Sequence, residues 1–205
     1  GSMAEEQNSL KSQFPKMITV LTTGMRTPND PNPFPPTKDL HLAVVSTDMG
    51  AMGQVNVMGC DTNGGDDGRL QNVPRGTIGC QASYPAFLAY VGGRDTPQQI
   101  ATDFACIAEL GTGGCGFEQQ LEAPFKALWP SVYIDERGNA QRENPYTFLG
   151  NTPQQQLGRG DQLPPEGSKG FVRSDVNLGL SLLAVVLVTD EEDCSSHKTD
   201  HFRVP

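Results

Sequence analysis

Four acidic residues stand in a row at Asp190, Glu191, Glu192 and Asp193, directly after an apolar run that ends at Thr189. Two explanations fit that pattern. A strand must emerge into water somewhere, and acids serve well at its edge. Alternatively, a carboxylate at the strand end holds a cation. A hard ion such as Mg²⁺ takes an octahedron of few carboxylates, hydroxyl oxygens and several waters, so Asp190 would need partners. Thr112 lies in a Gly-rich loop just ahead of a helical segment, and Ser2 stands at the opening of the first one. In open α/β sheets, ligands sit beyond the carboxyl ends of the strands, where loops converge. Ser2, Thr112 and Asp190 are therefore the candidate metal ligands, for Mg²⁺ or for Mn²⁺ or Ca²⁺. Each also has a structural reading: Ser2 as a helix N-cap, Thr112 as an ordinary loop hydroxyl, Asp190 as the cap of a strand. Glu191, Glu192 and Asp193 read as solvated.

A second set of oxygens lies in "CDTNGGDDG" at 60–68, where Asp61, Asn63, Asp66 and Asp67 crowd one loop. The spacing lacks the EF-hand register and its closing glutamate, so a polar, disulfide-bound loop is the better reading. His197 and His201 have a spacing that suits one helix face but lack the glutamate of a metalloprotease. Of the five cysteines, none has CxxC spacing. Proximity in sequence pairs Cys60 with Cys80 and Cys106 with Cys115, leaving Cys194 over. Disulfides place a protein outside the reducing cytosol.

The elements that must position these groups are read from periodicity. Leu10, Phe14, Met17, Ile18, Leu21 and Met25 fall at steps of three and four and make a helical face. Pro15 should kink or break it. The Pro-rich segment 26–38 is loop. "LHLAVVST" at 40–47 reads as a strand ending at Asp48, and "AFLAYVG" at 86–92 as a weaker one. Between them, 49–80 is a Gly-rich surface excursion. Thr96 is placed to cap a helix, with Pro97 at its first position and Gln99 completing a capping box. Ile100, Phe104, Ile107 and Leu110 form that helix's buried stripe. A further helix should bury Phe117, Leu121, Phe125 and Leu128, with Pro124 bending it. Residues 130–170 carry no periodicity and form a long loop insertion. "LSLLAVVLVTD" is then the clearest buried strand, continuous as in a parallel sheet covered on both faces. Strands alternating with helices give an α/β fold.

At 205 residues the chain is of single-domain length. Its formal charge of −9 argues against nucleic acid, which requires a basic face. The longest apolar stretch falls far short of the ~20 residues of a transmembrane helix.

The blocks "ELGTGGCGFEQQLEA" and "AVVLVTDEEDCS" resemble those of von Willebrand factor A domains, especially the secreted or lipid-anchored members found in myxobacteria and related bacteria. "AVVSTDMG", "GDDGRLQ" and the opening "GSMAEEQ" extend the resemblance over most of the chain. It implies a Rossmann-like three-layer fold, a sheet of mainly parallel strands with helices on both faces, over 1–205. It also implies a metal-ion-dependent adhesion site in which Ser2 is the second serine of an Asp-x-Ser-Gly-Ser motif, Thr112 the threonine ligand and Asp190 the carboxylate. The Asp and first Ser of that motif would precede residue 1, together with the first strand, unless Gly1 and Ser2 are an addition ahead of Met3. The domain therefore reads as partial at its start and, through a missing partner for Cys194, at its end, with the metal site impaired. The implied activity is binding a protein or other acidic ligand, without catalysis, in the periplasm, on the outer membrane or outside the cell. The alternatives are a metal-free structural surface protein and a metal-assisted hydrolase using Asp190 and a bound water. Against the last, the chain shows no nucleophile elbow.

Overall fold

The computed structural model describes residues 3–51, 59–60, 65–76, 78–134, 136–141, 148, 154–161, 170–173 and 181–195. The described residues fall into two compact units, between which the chain passes three times. One draws on Ser2–Val44 and Gln71–Thr112, the other on Val45–Leu70 and Gly113–Pro205.

In the first unit, the apolar periodicity near the start forms helix α1 (Ala4–Thr23). Pro15 lies inside it, and of the expected kink or break, the break into two helices does not occur. Proline removes one N–H, whereas Phe14 and Ile18 on either side of it are buried. Packing of that stripe holds the turn. Gly24 ends α1 at φ 75°, donating its N–H to the Val20 carbonyl at 2.9 Å. A Cβ here would meet the Phe34 carbonyl oxygen at 1.8 Å, so only glycine fits. The Pro-rich loop is thereby fastened back: Phe34 donates to the Gly24 carbonyl and Thr37 to the Leu21 carbonyl.

Strand β1 (Asp39–Leu42) pairs antiparallel with β2 (Leu88–Val91), from Asp39 opposite Val91 to Leu42 opposite Leu88. Both are shorter than expected, and Val45 adds only an isolated bridge to Leu70. Helix α2 (Pro97–Ala108) begins as read, with Thr96 at the N-cap and Pro97 in first place. The capping box does not close, because the Gln99 amide donates to Asp103 instead. Ile100, Phe104 and Ile107 are buried as expected, and Leu110 lies past the helix end. Phe14, Tyr84, Leu88, Phe104, Cys106 and Ile107 make one core cluster; Ile18, Tyr90, Ile100 and Ala101 make a second.

The other unit is built differently. Its helix α3 (Glu122–Leu128) spans 7 residues, and Ala123, Lys126 and Ala127 are its buried positions. The expected face of Phe117, Leu121, Phe125 and Leu128 does not form: Leu121 and Phe125 are exposed. Phe117 and Leu121 precede the helix, so helical spacing never applies to them. Within 130–170, β3 (Tyr133–Ile134) and β4 (Ala140–Gln141) make a small antiparallel hairpin. Met49 and Ala123, with Val45 against them, are the unit's apolar cluster among the described residues.

Two sequence expectations are corrected. Ser181–Thr189 is not a buried strand: it belongs to no ladder among the described residues and is exposed along its length. Such a run needs a neighbouring strand, and the described strands pair elsewhere. The disulfides use the four expected cysteines but cross the expected pairing, joining Cys60 to Cys115 and Cys80 to Cys106. Cys106 sits on the buried side of α2, and Cys80 packs against the same cluster. That meeting in the core outweighs the short separation of Cys106 from Cys115.

Candidate functional site

The acidic stretch does not hang free beyond the apolar run. It is tied to the segment that leads into α3. The Gln120 amide nitrogen donates to the Thr189 hydroxyl at 3.0 Å and lies 3.3 Å and 3.4 Å from the Glu191 and Glu192 carbonyls. Cys194 donates its N–H to the Glu118 carbonyl at 2.8 Å. Leu121 donates its N–H to the Asp193 carboxylate, and Glu122 donates its own to the Ser195 hydroxyl. The first N–H groups of a helix have no partner within it. Asp193 and Ser195 supply that partner for α3 from across the unit, and the Asp193 charge lies at the favourable end of the helix dipole. The reading of Asp193 as merely solvated is thus corrected: it is exposed, but it caps a helix.

Asp190 itself is exposed on the bend that follows Thr189. Thr112 is exposed in its Gly-rich loop and belongs to the other unit. Ser2 lies outside the described residues, as do Asp61, Asn63, His197 and His201. Among the described residues, no group of three or more His, Cys, Asp or Glu could hold a metal ion. A site made of one carboxylate and hydroxyls would not need such a group. The hard oxygen donors of Asp190 and Thr112 fit Mg²⁺ in kind, though one carboxylate alone supplies little charge.

The other two acids of the 60–68 loop are engaged inward. Asp66 accepts from the Ser46 hydroxyl, and its N–H donates to the Asp48 carbonyl at 2.9 Å. Asp67, buried and at φ 53°, accepts from both Lys126 and Arg159. Lys126 is fully buried; it also donates to the Gln155 carbonyl, and its ammonium lies 5.6 Å from the centre of the Phe148 ring. Burial pushes the Lys126 ammonium below its ordinary pKa, against the opposing pull of Asp67. Periodicity gave no sign of this cluster, since a lysine on a helix reads as solvated until its acid is located.

Asp48 is the other group the sequence reading passed over. Its carboxylate accepts from the Gly50 N–H at 2.9 Å. Two glycines close over it: a Cβ on Gly65 would meet Asp48 Oδ1 at 2.3 Å, and one on Gly114 would meet Oδ2 at 2.9 Å. The glycines of "GGDDG" and "GTGGCG" are the signal that could have found it. Cys194 is a free thiol, as expected. Burial first, then Asp193, Glu192, Glu118 and Glu191, hold it above its ordinary pKa.

No family model matches the sequence, and no curated protein or solved structure matches it significantly.

Proposed function

We propose that this chain is an extracytoplasmic binding module in which a divalent cation, Mg²⁺ first among the candidates, bridges Asp190, Thr112 and Ser2 to an acidic group of a protein ligand. The reading rests on the resemblance to von Willebrand factor A domains and carries with it their three-layer α/β fold. The single observation that supports it most is the ordered setting of the acidic stretch: residues 189–195, which include Asp190, are tied to residues 118–122 through Gln120, Leu121, Glu122 and Glu118. The two disulfides favour an oxidising compartment, and no helix among the described residues is long and apolar enough to cross a membrane. When bound, the ion would supply an open coordination position for a carboxylate. The chain's own contribution is to hold Asp190 between the Thr189–Gln120 bond and the Asp193 cap. One observation favours a second reading, a metal-free structural surface protein: Asp193 already has a helix to cap.

Calorimetric titration of Mg²⁺ and Mn²⁺ into the chain tests the proposal. With one carboxylate the dissociation constant should lie at about 1 mM, at the weak end of protein cation sites. Asp190→Ala should abolish the heat, whereas Glu191→Gln should leave it. Equal binding by the wild type and Asp190→Ala, or no binding by either, sinks the cation reading.

A further inference from the structure

Four of the six residues in "GTGGCG" at 111–116 are glycine. Glycine has the most backbone freedom to lose on ordering, so the stretch that carries Thr112 depends on support from outside. Each of the three residues ahead of Thr112 receives it. The Glu109 carboxylate pairs with Lys11 of α1. The Leu110 carbonyl accepts from the Arg75 guanidinium at 2.9 Å. Gly111 is held at both of its backbone groups by one side chain. The Gln7 amide nitrogen donates to its carbonyl at 2.7 Å, and the Gln7 amide oxygen accepts from its N–H at 2.9 Å. A carboxamide both donates and accepts, so Gln7 pairs with Gly111 as the residue opposite it in an antiparallel ladder would. Gly111 itself stands at φ 76°, which glycine adopts without penalty.

We propose that Gln7 is a positioning residue for the cation, holding Thr112 ready before the ion arrives. This role rests on the cation reading above and adds to it the side chain that sets the affinity. Gln7 does not touch the ion. It acts through Gly111, one peptide bond from Thr112. It also fastens the loop to the first turns of α1, the helix into which Ser2 leads. Two of the three proposed ligands thus lie close in sequence to the two ends of the clasp. Without the clasp the loop would be ordered only as the ion binds, and the affinity would fall by the cost of that ordering. Fixing the backbone of one residue corresponds to about a tenfold loss.

The test joins two measurements on the whole chain: hydrogen exchange at the Gly111 amide without metal, and a Mg²⁺ titration followed by NMR at the Thr112 and Asp190 amides. The Gly111 amide should exchange slowly in the wild type and as an open amide in Gln7→Ala. Gln7→Ala should also weaken Mg²⁺ about tenfold at both reporting amides. Gln7→Met keeps the length of the side chain without its amide and should behave as Gln7→Ala does. Gln99→Ala removes a comparable exposed glutamine bond, that to Asp103, and should change neither measurement. Equal exchange at Gly111 in the wild type and Gln7→Ala overturns the clasp. Lost protection with Mg²⁺ affinity unchanged overturns the positioning role and leaves the cation reading standing. A wild type in which Mg²⁺ shifts neither amide overturns the cation reading, and this role with it.

Discussion

Asp67 carries more of its unit than any other single side chain described. It is one carboxylate for the fully buried Lys126 and the largely covered Arg159, and it sits at φ 53°, where Asn and Asp are tolerated better than most residues. Asp67→Asn keeps the backbone preference and removes only the charge. Leaving buried ions uncompensated costs about 3–5 kcal/mol, so urea denaturation should show a loss of that size. Glu122 makes the opposite prediction. Burial raises its pKa above the ordinary 4.5, with Asp193 adding to the rise and Lys126 opposing it. A group whose pKa is raised by folding contributes stability that is complete below 4.5 and lost as pH climbs through the folded value. Glu122→Gln should therefore raise the melting temperature at pH 7 and leave it unchanged at pH 3.5. A variant that melts lower than wild type at pH 7 would show that attraction to Lys126 outweighs burial.

Helix α3 shows how an element can depend on residues far away in sequence. Its 7 residues are too few for a stable isolated helix, and its leading N–H groups are satisfied by Asp193 and Ser195. Asp193→Ala and Ser195→Ala should each cost about 0.5–2 kcal/mol, the usual worth of an N-cap. The two together should fall short of additivity, because the Ser195 hydroxyl also donates to Asp193 at 2.7 Å. Thermal melts of the two single variants and the double would measure both quantities. Elements whose signals are local were legible in the sequence: α1 from its stripe, α2 from Thr96 and Pro97, and β2, more weakly, from the apolar run at 86–92. Elements set by distant partners were not. The face of α3 follows Lys126 into its acid pair, and Leu182–Val188 reads as a buried strand only if something pairs with it. The acidic row stands out by its charge, but it ends no strand among the described residues, and the role of Asp193 required knowing that α3 begins beside it.

At the scale of the molecule, two disulfides brace the two units separately, Cys80–Cys106 in one and Cys60–Cys115 in the other. Their sequence separations of 26 and 55 correspond to about 3.5 and about 4 kcal/mol of chain-entropy stabilisation. Removing Cys80 and Cys106 together should loosen hydrogen-exchange protection in α1 and α2 and spare α3; removing Cys60 and Cys115 should do the reverse. That all four cysteines would pair was legible from the sequence. Which ones would meet was not, because Cys80 and Cys106 are brought together by the core around Phe104 and Leu88, not by the turn between helices. The candidate site is in the same position: Asp190 and Thr112 stand out by residue type and neighbours, while their sharing of an ion is a claim about the whole molecule. Paramagnetic broadening of amide resonances by substoichiometric Mn²⁺ measures that sharing directly. The amides of Thr112 and Asp190 should broaden together and recover on adding excess Mg²⁺. Broadening confined to Glu191–Asp193, with Thr112 untouched, would contradict it.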